Sequence, residues 1–152
     1  MSELVVNNSS WKEEIRFYYE NTPRVLFLRK IWWVSQTAFD MPREIQVIID
    51  SNDHLFMSVG TPGFVSFEGQ DDELYEKDYN MTLPIKEWIH THPFGDAYFS
   101  GTDLQTISMW ERVLDKATVL GDGERMTMSF RVGENNETYQ EYTQFVFGDE
   151  EE

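Results

Sequence analysis

A chain of 152 residues, 40% hydrophobic and 15% aromatic, can bury one sizeable core and is too short for two ordinary domains. Its formal net charge of −16 makes nucleic acid and anionic membrane unfavourable partners and favours neutral or basic ones. The absence of cysteine excludes disulfides, thiolate metal sites and a cysteine nucleophile together, so any metal must be held by carboxylates and the three histidines, His54, His90 and His92.

Residues 1–14 lack a basic segment followed by an apolar run, so they do not read as a secretory signal. The longest apolar region, 25–39, is interrupted by Arg29, Lys30, Ser35 and Gln36, which suits a buried helix rather than a membrane span. A soluble, cytoplasmic protein is expected. One domain should cover 1–147, followed by an acidic tail at 148–152.

In chain order, Ser10 and Glu13 resemble a capping box, while Ile15, Phe17 and Tyr19 alternate as in a strand; 11–20 leans toward helix. Thr22 and Pro23 form an N-cap and N1 pair for a helix near 23–38. The runs 44–50 and 55–59 flank the polar turn Ser51, Asn52, Asp53 and predict a hairpin. Beyond a short strand at 64–67, the acidic stretch up to 80 reads as an exposed connection beside a cleft, with 68–82 a candidate lid.

Residues 83–91 predict a strand, followed by a loop through Pro93, Gly95 and Ser100. A helix should begin near Thr102, carry Leu104, Ile107, Trp110, Val113 and Leu114 on its apolar face, and end by Gly121 and Gly123. Trp32, Trp33 and Trp110 read as core or sheet-facing residues. Strands near 125–132 and 138–147 complete an α/β or α+β sandwich with one central sheet.

Alternation along the strand puts Lys86, Trp88, His90 and His92 on one face and Ile85, Glu87, Ile89 and Thr91 on the other. Two imidazoles two residues apart at a strand end can converge on one ion. Asp103, in the first turn of the next helix, is placed to be the third ligand, leaving a fourth tetrahedral position for water as in catalytic zinc sites. A pair of ordinary strand-end histidines is the bland alternative, and two His with one carboxylate also suit non-haem iron.

His90-Thr91-His92-Pro93, Ser100 and Asp103, with six residues between Pro93 and Ser100, resemble the signature of the JAMM/MPN zinc metallopeptidases. Trp88 matches a tryptophan two residues before the first histidine, and Glu44, after Pro42 and Arg43, matches the separate glutamate of that family. Val47, Asp50 and Glu87 stand where glycines are common in it. The resemblance implies an MPN-like sandwich of the cytidine-deaminase-like kind, a central mixed sheet flanked by helices. It also implies Zn²⁺ on His90, His92 and Asp103, Glu44 as general base and acid, and Ser100 stabilising a tetrahedral intermediate.

The implied reaction is hydrolysis of an amide or isopeptide bond in a protein or peptide, such as a ubiquitin-like modifier joined to lysine. A phage-tail or cell-wall peptide hydrolase and a non-catalytic MPN-like scaffold are the alternatives. Glu68 or Glu73 can substitute for Glu44 as the base. Ser100 can equally be a turn residue or helix cap, Asp96 reads as a solvated turn residue before a second metal ligand, and His54 reads as exposed.

Overall fold

The computed structural model describes residues 8–60, 81–110, 112–132 and 137–144. The predicted strand at 64–67, Glu68, Glu73, most of the 68–82 segment and the acidic tail lie outside them. Two helices, α1 (Asn8–Asn21) and α2 (Arg24–Thr37), precede the hairpin β1 (Ile45–Ile49) and β2 (Leu55–Val59). Then follow β3 (Glu87–Thr91), α3 (Gly101–Trp110), β4 (Lys116–Gly121), β5 (Glu124–Val132) and β6 (Glu137–Gln144). The strands form one mixed sheet in the order β2-β1-β3-β4-β5-β6, with β3 and β4 parallel and the other neighbours antiparallel. No helix among the described residues is long and apolar enough to cross a membrane.

The expected alternation divides the sheet between two cores. Ile45, Val47, Ile49, Leu55, Met57, Ile89 and Leu120 pack against Trp11, Ile15, Phe27, Leu28, Ile31 and Val34 of α1 and α2. Ile48, Trp88, Ala117 and Met128 face the other way, toward Ile107 of α3, Ile85 and Leu114. β1 and β3 are buried at every position. Burial on both faces explains the largely apolar character of β1, at about 1.5–3 kcal/mol for each large side chain, whereas β3 buries the polar Glu87, His90 and Thr91.

Four expectations are corrected. The third strand starts at Glu87 rather than 83, because the preceding segment is spent on other partners. Ser51 N–H donates to Thr82 O at 3.1 Å, Ile85 N–H bonds Val113 O, and Pro84 has no N–H to give. Ile85 therefore makes only an isolated bridge with Leu114. The helix from 101 ends at Trp110, and 116–121 is a strand; Thr118, Val119 and Leu120 lie buried beside β3, where a parallel partner closes the sheet. Leu104 and Trp33 are exposed, at 46% and 54%, not core. Thr22 does not cap α2: its hydroxyl donates to Tyr18 O at 2.7 Å, and Pro23 occupies the cap position without a side-chain bond.

The glycine-like positions of the resemblance have local explanations here. Glu87, 3% exposed, receives both terminal nitrogens of Arg24, at 2.9 and 2.8 Å, and the Thr118 hydroxyl at 2.6 Å. Those partners hold its carboxyl below the usual glutamate range, outweighing burial, which acts in the opposite sense. Asp50 closes the hairpin by accepting N–H bonds from Asn52, His54 and Thr82, each at 2.9 Å. Val47 simply fills the helix-side core.

Candidate metal centre

The C-terminal end of β3 and the start of α3 form the site. His90 and His92 share the α3-side face, as strand parity requires, and both Nε2 atoms approach the same oxygen of Asp103. The distances to Oδ2 are 3.0 Å from His90 and 3.2 Å from His92. One ligand atom from each of the three residues lies within 4.8 Å of the others, so the triad can hold a metal ion.

Asp103 is held by the cap of its own helix. Ser100 N–H donates to Asp103 Oδ2 at 2.9 Å, and Asp103 N–H donates to Ser100 Oγ at 3.1 Å, a reciprocal capping box that starts α3. Ser100 is thus a helix cap in this structure. Burial acts to raise the Asp103 pKa, but the two imidazoles and the Ser100 N–H outweigh it and hold the carboxyl well below the usual range. Asp103 is an anion at neutral pH.

His92 is oriented from behind. Its Nδ1 lies 3.1 Å from the carbonyl oxygen of Asp96, which leaves Nε2 to face Asp103 when Nδ1 carries the proton. Desolvation acts to lower the His92 pKa, but Asp103, the Asp96 carbonyl and Glu44 overcome it and raise the pKa. The Asp96 side chain is exposed and contributes nothing to the triad.

The loop carrying that carbonyl is pinned along its length. Gln36 Nε2 donates to Pro93 O at 2.9 Å, Asp122 N–H to Gly95 O at 3.1 Å, and Ala97 N–H to Glu124 Oε2 at 2.8 Å. Gly121 lies directly against it: a Cβ there would sit 2.3 Å from Ala97 N and 2.6 Å from Asp96 C. Only glycine leaves room for that approach.

His90 is 1% exposed, and neither ring nitrogen has a hydrogen bond among the described residues, although Nε2 is only 3.0 Å from Asp103. Close approach without bond alignment is what two ligands aimed at a shared point produce. A zinc tetrahedron with ligands about 2.05 Å from its centre has edges of roughly 3.3 Å, near both observed separations. The donor set, two imidazole nitrogens and a carboxylate oxygen with no thiolate, fits zinc and does not by itself exclude iron.

Glu44 comes to the same face from the residue just before β1. Gln46 pairs with His90, and continuing the antiparallel register by two residues sets Glu44 opposite His92. Its backbone is fixed on three sides: Arg43 N–H bonds Ser35 O at 2.9 Å, Ile45 N–H bonds Thr91 Oγ1 at 2.9 Å, and Gly60 N–H bonds Glu44 O at 2.9 Å. Glu44 is 7% exposed. Its pKa is pushed up to about 7, first by burial, with His92 opposing and Asp103 adding to the rise.

The third histidine, His54, remains outside. Its side chain is 65% exposed and lies 3.5 Å from Asp50 at the hairpin turn. Gln46, Gly121 and Glu124 support the site and were not among the sequence-derived candidates. Gln46 alone carried a signal, as the one polar residue in the run Ile45–Ile49. Comparison with protein-family models, with curated proteins and with solved structures found no match to this chain.

Proposed function

We propose that this protein is a zinc-dependent peptidase or isopeptidase of the JAMM/MPN type, with an MPN-like fold, that hydrolyses an amide bond in a protein or peptide substrate. The observation that carries this reading is a buried carboxylate, Glu44, on the same sheet face as three converging ligand atoms of His90, His92 and Asp103. A metal-holding triad needs no such neighbour for structure, whereas hydrolysis needs a base beside the water it activates.

Zinc, when bound, supplies a Lewis acid that polarises a carbonyl and brings water toward a pKa of roughly 7. His90, His92 and Asp103 would hold it, leaving room in the coordination shell for water and substrate. Glu44 accepts a proton from water as the water oxygen attacks the carbonyl carbon. The C–N bond then breaks, and Glu44 returns that proton to the leaving nitrogen, giving a carboxylic acid and an amine. Ser100 Oγ, beside Asp103, is the candidate donor to the oxygen that gains charge.

A ubiquitin-like modifier joined to lysine is the proposed substrate class, and a net charge of −16 suits a substrate bearing basic groups. The test pairs metal analysis with cleavage of ubiquitin-like conjugates and a small-peptide panel. The purified protein should contain one zinc; Glu44→Gln should keep it and lose about 10²- to 10⁴-fold in rate, while His92→Ala should lose the metal. Cleavage undiminished in both variants, or no zinc in the native protein, would overturn the proposal.

A further inference from the structure

A metal ligand usually has its ring fixed by a hydrogen bond from the nitrogen that does not bind the ion. His92 has that bond through Asp96 O; His90 does not, since its Nδ1 is buried without a hydrogen-bond partner among the described residues. Something else must set the plane of the His90 ring. The Trp88 indole lies against it, with ring centroids 4.5 Å apart and planes inclined by 17°.

Trp88 is itself tethered. Its Nε1–H donates to Gln46 Oε1 at 2.9 Å, and Gln46 Nε2 donates to Ser58 Oγ at 3.1 Å. Trp88, Gln46 and Ser58 are all fully buried, and Gln46 stands directly opposite His90 and Ser58 in the sheet register. Three neighbouring strands thus contribute one chain of contacts, Ser58 to Gln46 to Trp88 to His90. A buried amide in an otherwise apolar strand is costly unless both its ends are bonded, and here both are.

We infer that Gln46 is a positioning residue for the metal site, holding the Trp88 indole in the plane that aims His90 Nε2 at the ion. Resting as it does on the metal-site reading, this role predicts effects on the ion that a contribution to stability alone would not produce. Gln46→Met keeps length and volume but removes the Oε1 acceptor of the indole N–H. Trp88→Phe keeps an aromatic face and removes the donor.

The experiment measures zinc affinity by chelator competition and the visible spectrum of the cobalt-substituted protein. It compares the wild type, Gln46→Met, Trp88→Phe, the double variant and Ser58→Ala. Each of the first two singles should weaken zinc binding about 10- to 100-fold and alter the cobalt spectrum. The double variant should be no weaker than the worse single, because the residues act in series. Ser58→Ala, the mildest change, should shift both readouts in the same direction and carries the test if Gln46→Met does not fold.

Wild-type zinc affinity and an unchanged cobalt spectrum in the folded single variants would overturn the inference while leaving the metal site standing. Additive losses in the double variant would also overturn it. A wild-type protein that binds neither ion would remove the metal-site reading and this inference together.

Discussion

Replacing Gly121 with alanine tests whether the proposed metal site depends on a backbone contact far in sequence from His90, His92 and Asp103. The added Cβ would meet Ala97 N at 2.3 Å, Asp96 C at 2.6 Å and Gly95 O at 2.9 Å, all backbone atoms, whereas ordinary contact begins at 3.4 Å. The 95–97 segment must therefore retreat by about 1 Å, because a close-packed interior cannot absorb the overlap elsewhere. That movement carries the Asp96 carbonyl away from His92 Nδ1, now 3.1 Å distant, beyond hydrogen-bond reach. Loss of such an outer contact lowers metal affinity about 10- to 100-fold, or roughly 1.4–2.7 kcal/mol. Overpacking should separately cost about 1–3 kcal/mol of stability.

Zinc competition on the Gly121→Ala protein measures the first effect and denaturant unfolding of the metal-free protein the second. Gly123→Ala is the control: Gly123 has φ +75 and nothing within 4 Å of an added Cβ. It should cost about 1–2 kcal/mol through backbone strain and leave zinc affinity unchanged. Zinc binding by Gly121→Ala at the wild-type level would refute the claim that this contact orients His92.

Three further outcomes are expected. Removing zinc with a chelator should lower Tm; at free zinc 1,000-fold above Kd the bound ion contributes about 4.1 kcal/mol, corresponding to roughly 8–16 °C for a chain of this size. Calorimetry with and without chelator measures it. Ser100→Ala should cost about 0.5–2 kcal/mol through loss of the α3 cap, and about 10²- to 10³-fold in kcat if the hydroxyl also steadies the reacting oxygen; an unchanged kcat would assign Ser100 to the cap alone. Glu87, with its folded-state pKa depressed below the ordinary 4.5, contributes stability that is complete above that value and is lost as pH falls through the folded-state pKa. Arg24→Met, which leaves this buried carboxylate without its guanidinium, should cost about 3–5 kcal/mol at neutral pH. Its deficit should shrink on acidification, as read by urea unfolding at pH 7 and pH 4.

Much of the site was legible because its information is local. His90 and His92 are two residues apart on a strand, so the period of two alone places them on one face. Asp103 and Ser100 share a helix start, where a capping box has its own spacing. The hairpin and α2 were equally readable, since turn residues and apolar periodicity act over a few positions. Residues 116–121 were harder: a short apolar run next to a helix is consistent with either state until it is known that β3 has a vacant edge.

The amino-acid order by itself determined the candidate ligand types, their shared face, the helix that delivers Asp103 and the exclusion of thiolate chemistry. Only the tertiary structure decided that Glu44 is buried within electrostatic reach of His92 and Asp103 and that Gln46 reaches Trp88. It also decided that Gly121 makes room for the loop behind His92, one of the three residues that could hold a metal. These contacts join residues separated by more than 20 positions, and no helical or strand period extends across that distance. Their placement follows from sheet order and register, which are set by which apolar faces can be buried together.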